Sequence, residues 1–272
     1  MNRSFTSGVS YLLIVTLITL SLSQTIFADH SWGGYHWART SNPFTVKVVD
    51  SNTSNWDVAL GIAIGDWNSS SVMNVVGEAG DDAQRIRKRC PMVAGKIRSC
   101  NATYGYNGWL GLASINITGG VHITQATSKM NDSYLASGYS STNKQHVMCQ
   151  EIGHGFGLGH QDESGADLNT CMDYSNDLGN PHPNAHDYSQ LETIYNSHLD
   201  TTNTAAFAIT GENPFDDPDA AYKWGRLVRQ SFDGRVSTYV ADHGNGNLTV
   251  RHVLWTQEFA ERCQGCDHRW DH

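Results

Sequence analysis

The chain has 272 residues, 39% of them hydrophobic and 17% charged, with 26 Gly and 6 Pro. Such a composition excludes a collagen-like, coiled-coil or wholly disordered protein. Its 18 basic and 27 acidic residues give a formal charge of −9, which argues against nucleic acid as a partner, because phosphate binding is usually driven by a basic surface.

Residues 1–28 read as a secretion signal, since Arg3 precedes an uncharged apolar run over 11–22 and small or polar residues follow it. That run is too short for a comfortable membrane span, so the expectation is a secreted, extracellular chain with no stable membrane anchor. Loss of Arg3 with the signal leaves 17 of the 18 basic residues against 27 acidic ones, a balance of −10. Residues 45–49 form a β-branched run, and 56–67 space apolar residues as a helix packed on a sheet does. The charged stretch 81–100 reads as a surface loop. Residues 110–117 and 121–124 alternate as two strands joined by the turn Thr118-Gly119-Gly120. A helix is predicted over 141–155, and another over 187–198 after the breaker Pro181-His182-Pro183. Beyond 201 the character changes: a Pro/Asp loop from Asn213 to Asp219 precedes three short strands at 225–230, 235–241 and 248–255. These could build a small β-subdomain or the edge of the main sheet. The tail 263–272 reads as polar and loosely ordered.

Six cysteines in a secreted chain are expected to pair. Their positions suggest Cys90 with Cys100, Cys149 with Cys171 and Cys263 with Cys266, although six cysteines allow fifteen pairings. The C-terminal Cys263-Gln264-Gly265-Cys266 with His268 and His272 also reads as a second metal site or a redox motif. Asn52, Asn68, Asn101, Asn116, Asn131 and Asn247 each begin an Asn-x-Ser/Thr sequon.

The segment 146–174, HVMCQEIGHGFGLGHQDESGADLNTCMDY, carries the chemistry. Glu151, His154, Gly157 and His160 fit the last ten positions of HExxHxxGxxH. Residues four apart share a helix face, so side chains at 150 and 154 can converge on one ion, with Glu151 beside them to reach a water. A straight helix would carry His160 away. Gly157 supplies the turn that brings it back, because glycine tolerates positive φ.

On these residues the sequence resembles a metzincin-type zinc metalloprotease. The resemblance extends to a Met-turn, Cys171-Met172-Asp173-Tyr174, and more weakly to a substrate-binding edge strand in the stretch 108–117. It implies an α+β fold: a mixed twisted sheet, an active-site helix and a second C-terminal helix, in a catalytic domain over 29–200 followed by a β-rich region and polar tail over 201–272. It also implies a zinc endopeptidase acting on protein or peptide substrates, expected to be a monomer. Gln150, His154 and His160 would hold Zn²⁺, Glu151 would be the general base, and Tyr174 would steady the oxyanion. Met172 would lie beneath the metal, and a Cys149–Cys171 bond would brace the helix against the Met-turn.

One departure from the motif is central: the first ligand position holds Gln150, whose carboxamide oxygen is a weaker donor than imidazole. The alternative is therefore a catalytically silent binding protein that has lost tight zinc binding. His146, one turn upstream, lies eight residues from His154, about 12 Å of helix rise, and is expected to be a supporting or surface histidine. Asp162 and Glu163 are weaker candidate ligands, and His182 and His186 are expected to cap or face water. Asp29, His30 and His36 form a candidate latency segment, and no Cys-switch peptide is seen.

Overall fold

The protein is described here from a computed structural model covering residue 31 and residues 33–161, 165–175, 177–204, 218–262 and 265–270. The expected signal, Asp29, His30, Asp162, Glu163, Cys263, His272 and most of the Pro/Asp loop lie outside the described residues.

The β-branched run near residue 45 belongs to β2 (Phe44–Ser51), preceded by the two-residue β1 (His36–Trp37). A 3₁₀ turn at Ser54–Trp56 leads into α1 (Asp57–Trp67), which buries Leu60, Ala63 and Trp67. β3 (Met73–Ala79) follows. The stretch expected to be a surface loop instead holds α2 (Gln84–Arg89) and β4 (Lys96–Ala102), an interior strand of the sheet. Its charges misled because Arg98 and Lys96 alternate with the buried Ile97, Ser99 and Cys100, a strand pattern with charged stems.

β5 (Trp109–Thr118) and β6 (His122–Asn131) form the expected hairpin but run longer than their apolar cores. After a single turn, α3 (Asp132–Leu135), comes α4 (Ser141–His154), opened by a capping box between Ser140 and Asn143. Asn184 and Asp187 make a second capping box at the start of α5 (Ala185–Asn196). The C-terminal strands are β7 (Arg226–Gln230), β8 (Val236–Asp242) and β9 (Leu248–Trp255), followed by α6 (Gln257–Glu261).

Among the described residues all nine strands join one mixed sheet, in the order β3-β2-β4-β6-β5-β9-β8-β7, with β1 alongside β6. β3, β2, β4 and β6 are parallel, and β5, β9, β8 and β7 continue antiparallel. Of the two arrangements open to the C-terminal strands, they extend the main sheet. β5 is consequently not an edge: β9 pairs with it from Leu248 opposite Ile117 to Trp255 opposite Trp109.

Two apolar clusters cover the sheet. The larger joins Trp67, Phe156, Leu191 and Tyr195 to Val250 and Leu254, and the smaller gathers Trp109, Trp224, Tyr239, Val253, Trp255 and Phe259. β9 thus contributes alternate residues to both. The tail is more ordered than its polarity suggested: His268 and Arg269 are buried, with Arg269 hydrogen-bonded to Asp267 and to the carbonyl of Gly225. The expected Cys90–Cys100 and Cys149–Cys171 disulfides are present, and Cys266 is disulfide-bonded too. These bonds suit an oxidising, extracellular setting. Among the described residues no helix is long and apolar enough to cross a membrane. The Asn101, Asn116 and Asn131 side chains are buried and hydrogen-bonded within the protein, so these sequons serve the fold.

Because β9 is built into both clusters, the C-terminal strands should not melt on their own. Leu254→Ala, at a buried position, is expected to lower the stability of the whole by about 2–5 kcal/mol, within one calorimetric transition. A separate early transition would contradict this arrangement.

Candidate metal centre

α4 is buried along its length from Gln145 to His154, packed on α1, β5 and β6. It ends at His154 because the chain turns through 155–157, with Gly157 at φ +93°. A side chain there is doubly excluded, since a Cβ would stand 2.0 Å from the Tyr35 carbonyl oxygen. The turn returns His160 to His154, with ring centroids 4.5 Å apart. Gly157 thus brings the two histidines together.

A third histidine, which sequence reasoning missed, completes the group. His252 of β9 stacks on His154 at 4.1 Å and 13°, and one ligand nitrogen from each of His154, His160 and His252 lies within 4.8 Å of the others. Two of these rings are oriented from behind. His154 Nδ1 is 2.9 Å from the Leu158 carbonyl oxygen, and His252 Nδ1 is 3.2 Å from Thr238 Oγ1. Such contacts fix the imidazole and reserve Nε2 for a metal, as outer partners of histidine ligands commonly do. Burial holds His252 well below the ordinary histidine range, and proximity to His154 adds to the effect. Both favour the neutral imidazole that a metal requires. The signal for His252 was present in the strand period: Val250, His252 and Leu254 share one face, and the two apolar members belong to the core beneath α4.

Gln150 points its carboxamide toward the Met-turn, where Nε2 donates to the Cys171 carbonyl at 2.9 Å. Its Oε1 is buried without a hydrogen-bond partner. Glu151 lies against β5, where a Cβ on Gly111 would come 2.1 Å from its Oε1. The Ala113 N–H hydrogen-bonds to the Glu151 carboxylate, but burial dominates and pushes its pKa well above the usual range. Its Oε2 has no hydrogen-bond partner. Two buried oxygens on consecutive residues are thus left unsatisfied, each costing about 1–3 kcal/mol. A cation among the three imidazoles would lower that cost and return Glu151 toward its ionised form.

The segment Cys171-Met172-Asp173-Tyr174 packs against α4 and His160. Met172 Sδ occupies the space that a side chain at Gly153 would need, and the Met172 carbonyl accepts from Gln161 N at 2.6 Å, next to His160. Tyr174 stacks its ring on His160 at 4.6 Å. The Cys149–Cys171 disulfide closes 22 residues of chain between helix and turn, about 3 kcal/mol in a chain-entropy account. Gln150, Glu151, His154, His160, Tyr174 and His252 are all between 1% and 4% exposed, so the centre is closed to solvent.

Other candidates fall elsewhere. His146 is neither at the surface nor near the imidazoles' common point: it is buried, with Nδ1 2.8 Å from the Asn180 carbonyl oxygen. His182 faces outward and pairs with Asp66 at 2.7 Å. His36 belongs to a different cluster, with His198 and Asp200. The chain matches no known family's sequence pattern and no curated protein.

Burial lowers the His146 pKa from 6.5 to about 4. Between those values the unfolded chain binds a proton that the folded chain refuses. Stability should therefore fall as pH drops through this window, by at most about 1 kcal/mol per pH unit. His146→Asn, which can still donate to Asn180, is expected to flatten the acid side of a denaturation-midpoint profile. An unchanged acid slope would contradict this assignment.

Proposed function

We propose that the protein is a secreted, metzincin-like zinc endopeptidase whose metal is held by His154, His160 and His252, with Glu151 as general base. The observation that carries this reading is the convergence of three buried imidazoles, one of them on the helix that also carries a buried carboxylate with an unpartnered oxygen. The donor set fits zinc, which takes neutral imidazole nitrogens in threes at catalytic sites. His252 supplies from β9 the imidazole that α4 lacks at position 150. The Gln150 oxygen remains aimed into the core as a weak additional donor.

Zinc bound there would lower the pKa of a water and polarise a peptide carbonyl. Glu151 Oε2 takes the proton of the attacking water and delivers it to the leaving amine. The Ala113 N–H and the backbone at Gly111 hold that carboxylate in place, while Cys149–Cys171 and the capping box of α4 hold the helix that carries it. Tyr174, stacked on His160, fixes that ring and is the candidate hydrogen-bond donor to the developing oxyanion. The substrates are unfolded protein or peptide segments, with no nucleic acid involved.

One observation favours a second reading, a silent binding protein: β9 takes the edge of β5 on which an extended peptide would otherwise pair, and the centre is closed. Hydrolysis of a quenched fluorescent unfolded protein distinguishes the two. The zinc-loaded chain is expected to cleave it, and Glu151→Gln to keep zinc while losing at least a hundredfold in rate. Absence of turnover in the loaded wild type, or undiminished turnover in the variant, would reject the enzyme reading. His252→Ala is expected to weaken zinc binding at least tenfold, and unchanged affinity would remove it from the ligand set.

A further inference from the structure

A second group of metal-ligating side chains lies where the N-terminal segment meets the chain that follows α5. His36 comes from β1, His122 from the start of β6, and His198 and Asp200 from the segment after α5. His36 Nε2 and His198 Nε2 are 3.2 Å apart. His36 Nε2 is 3.6 Å from Asp200 Oδ2, while His122 Nε2 and His198 Nε2 lie 3.1 and 3.7 Å from Asp200 Oδ1. A tetrahedral ion with bonds of about 2.0–2.1 Å separates its donors by about 3.3–3.4 Å. For His36, His198 and Asp200, whose ligand atoms all lie within 4.8 Å of one another, the separations of 3.2, 3.6 and 3.7 Å lie close to that edge before any ion is added.

The orientation of the donors agrees. His36 Nδ1 is 2.8 Å from the Gly34 carbonyl oxygen, which places the ring proton on Nδ1 and leaves the lone pair of Nε2 facing His198. His198 Nδ1 is engaged by Ser197 Oγ at 3.0 Å. Asp200 is set by Arg39, whose Nη1 and backbone N donate to Oδ2 at 2.8 and 3.1 Å, while Oδ1 faces His122 and His198. The Arg39 guanidinium also donates to the Tyr195 and His198 carbonyls, so it is a built part of this corner. His36 and Arg39 are buried, whereas the His122 and His198 side chains are 36% and 46% exposed, which leaves an entry path for an ion.

We infer that His36, His198 and Asp200 form a second zinc site that clamps the N-terminal segment to the end of α5, with His122 beside it, 3.1 Å from Asp200 Oδ1, orienting the carboxylate. Two imidazoles and one carboxylate give three protein donors of the kind zinc takes, and the partly exposed side of the cluster leaves the fourth position to a water. The clamp bears on the first centre through the backbone. Tyr35, next to His36, is the residue whose carbonyl confines Gly157, and Trp37 Nε1 donates to the Gly155 carbonyl at 2.9 Å. Tyr195 OH donates to the Phe156 carbonyl at 2.7 Å. The turn that returns His160 is thus held by the segments the second ion would join.

The test is zinc content per chain, by elemental analysis of full-length protein stripped with chelator, reloaded with zinc alone and dialysed. The wild type is expected to hold two zinc ions, and the double variant His122→Ala/His198→Ala, altered only at partly exposed side chains, to hold one. His198→Gln alone should give the same loss if the double variant folds poorly. A wild type with one ion that the double variant loses would also uphold the clamp, and would place the failure at the His154 centre instead. A double variant that retains as much zinc as the wild type, or a wild type that binds none, would overturn the inference.

Discussion

Placing polar donors inside an apolar core is the constraint on which this structure turns. Gln150 and Glu151 lie on the most buried helix, and each leaves one oxygen without a hydrogen-bond partner. Three histidines stand within the same closed region. Water solvates such groups well and a hydrocarbon core does not, so the arrangement is costly until something polar enters it. A cation meets that need for the carboxylate and the imidazoles at once. The cost is borne by the packing around them: Trp67 and Phe156 edge to face below α4, and Val250 and Leu254 of β9 on either side of His252.

Rigid elements then decide where the donors can be. His154 is fixed by its helix and by Leu158, His160 by the Gly157 turn and the Tyr174 ring, and His252 by the β9 ladder and Thr238. The disulfide joins the residue before Gln150 to the residue before Met172, so helix and Met-turn move together. The same β9 that brings His252 also covers β5. On the proposed protease reading, a peptide could not add to that edge as a new strand while β9 is paired, and would have to approach Glu151 across the strands or with the β8–β9 hairpin shifted.

Much of this was legible in the sequence where spacing alone dictates geometry. The i, i+4 relation placed positions 150 and 154 on one face, the glycine marked the turn, and local cysteine spacing matched two bonds. The period of two also found the three C-terminal strands. What could not be read was long-range pairing. Nothing local says that residue 252 lies opposite residue 113, because that register is set by apolar faces in two clusters nearly 140 residues apart in the chain. For the same reason β5 resembled an edge strand, and His36, read as part of a latency segment, gave no sign of its neighbours His198 and Asp200. The charged stretch that hides β4 shows the converse error, in which composition outweighed an alternation that was present.

The proposed chemistry depends on whether a metal sits among His154, His160 and His252. An anomalous difference map across the zinc edge, from crystals of zinc-loaded protein, would decide it. The expected result is a peak within bonding distance of one nitrogen from each of the three rings. A clear map with no peak there, or a peak held by Gln150, His154 and His160 with His252 turned away, would contradict it.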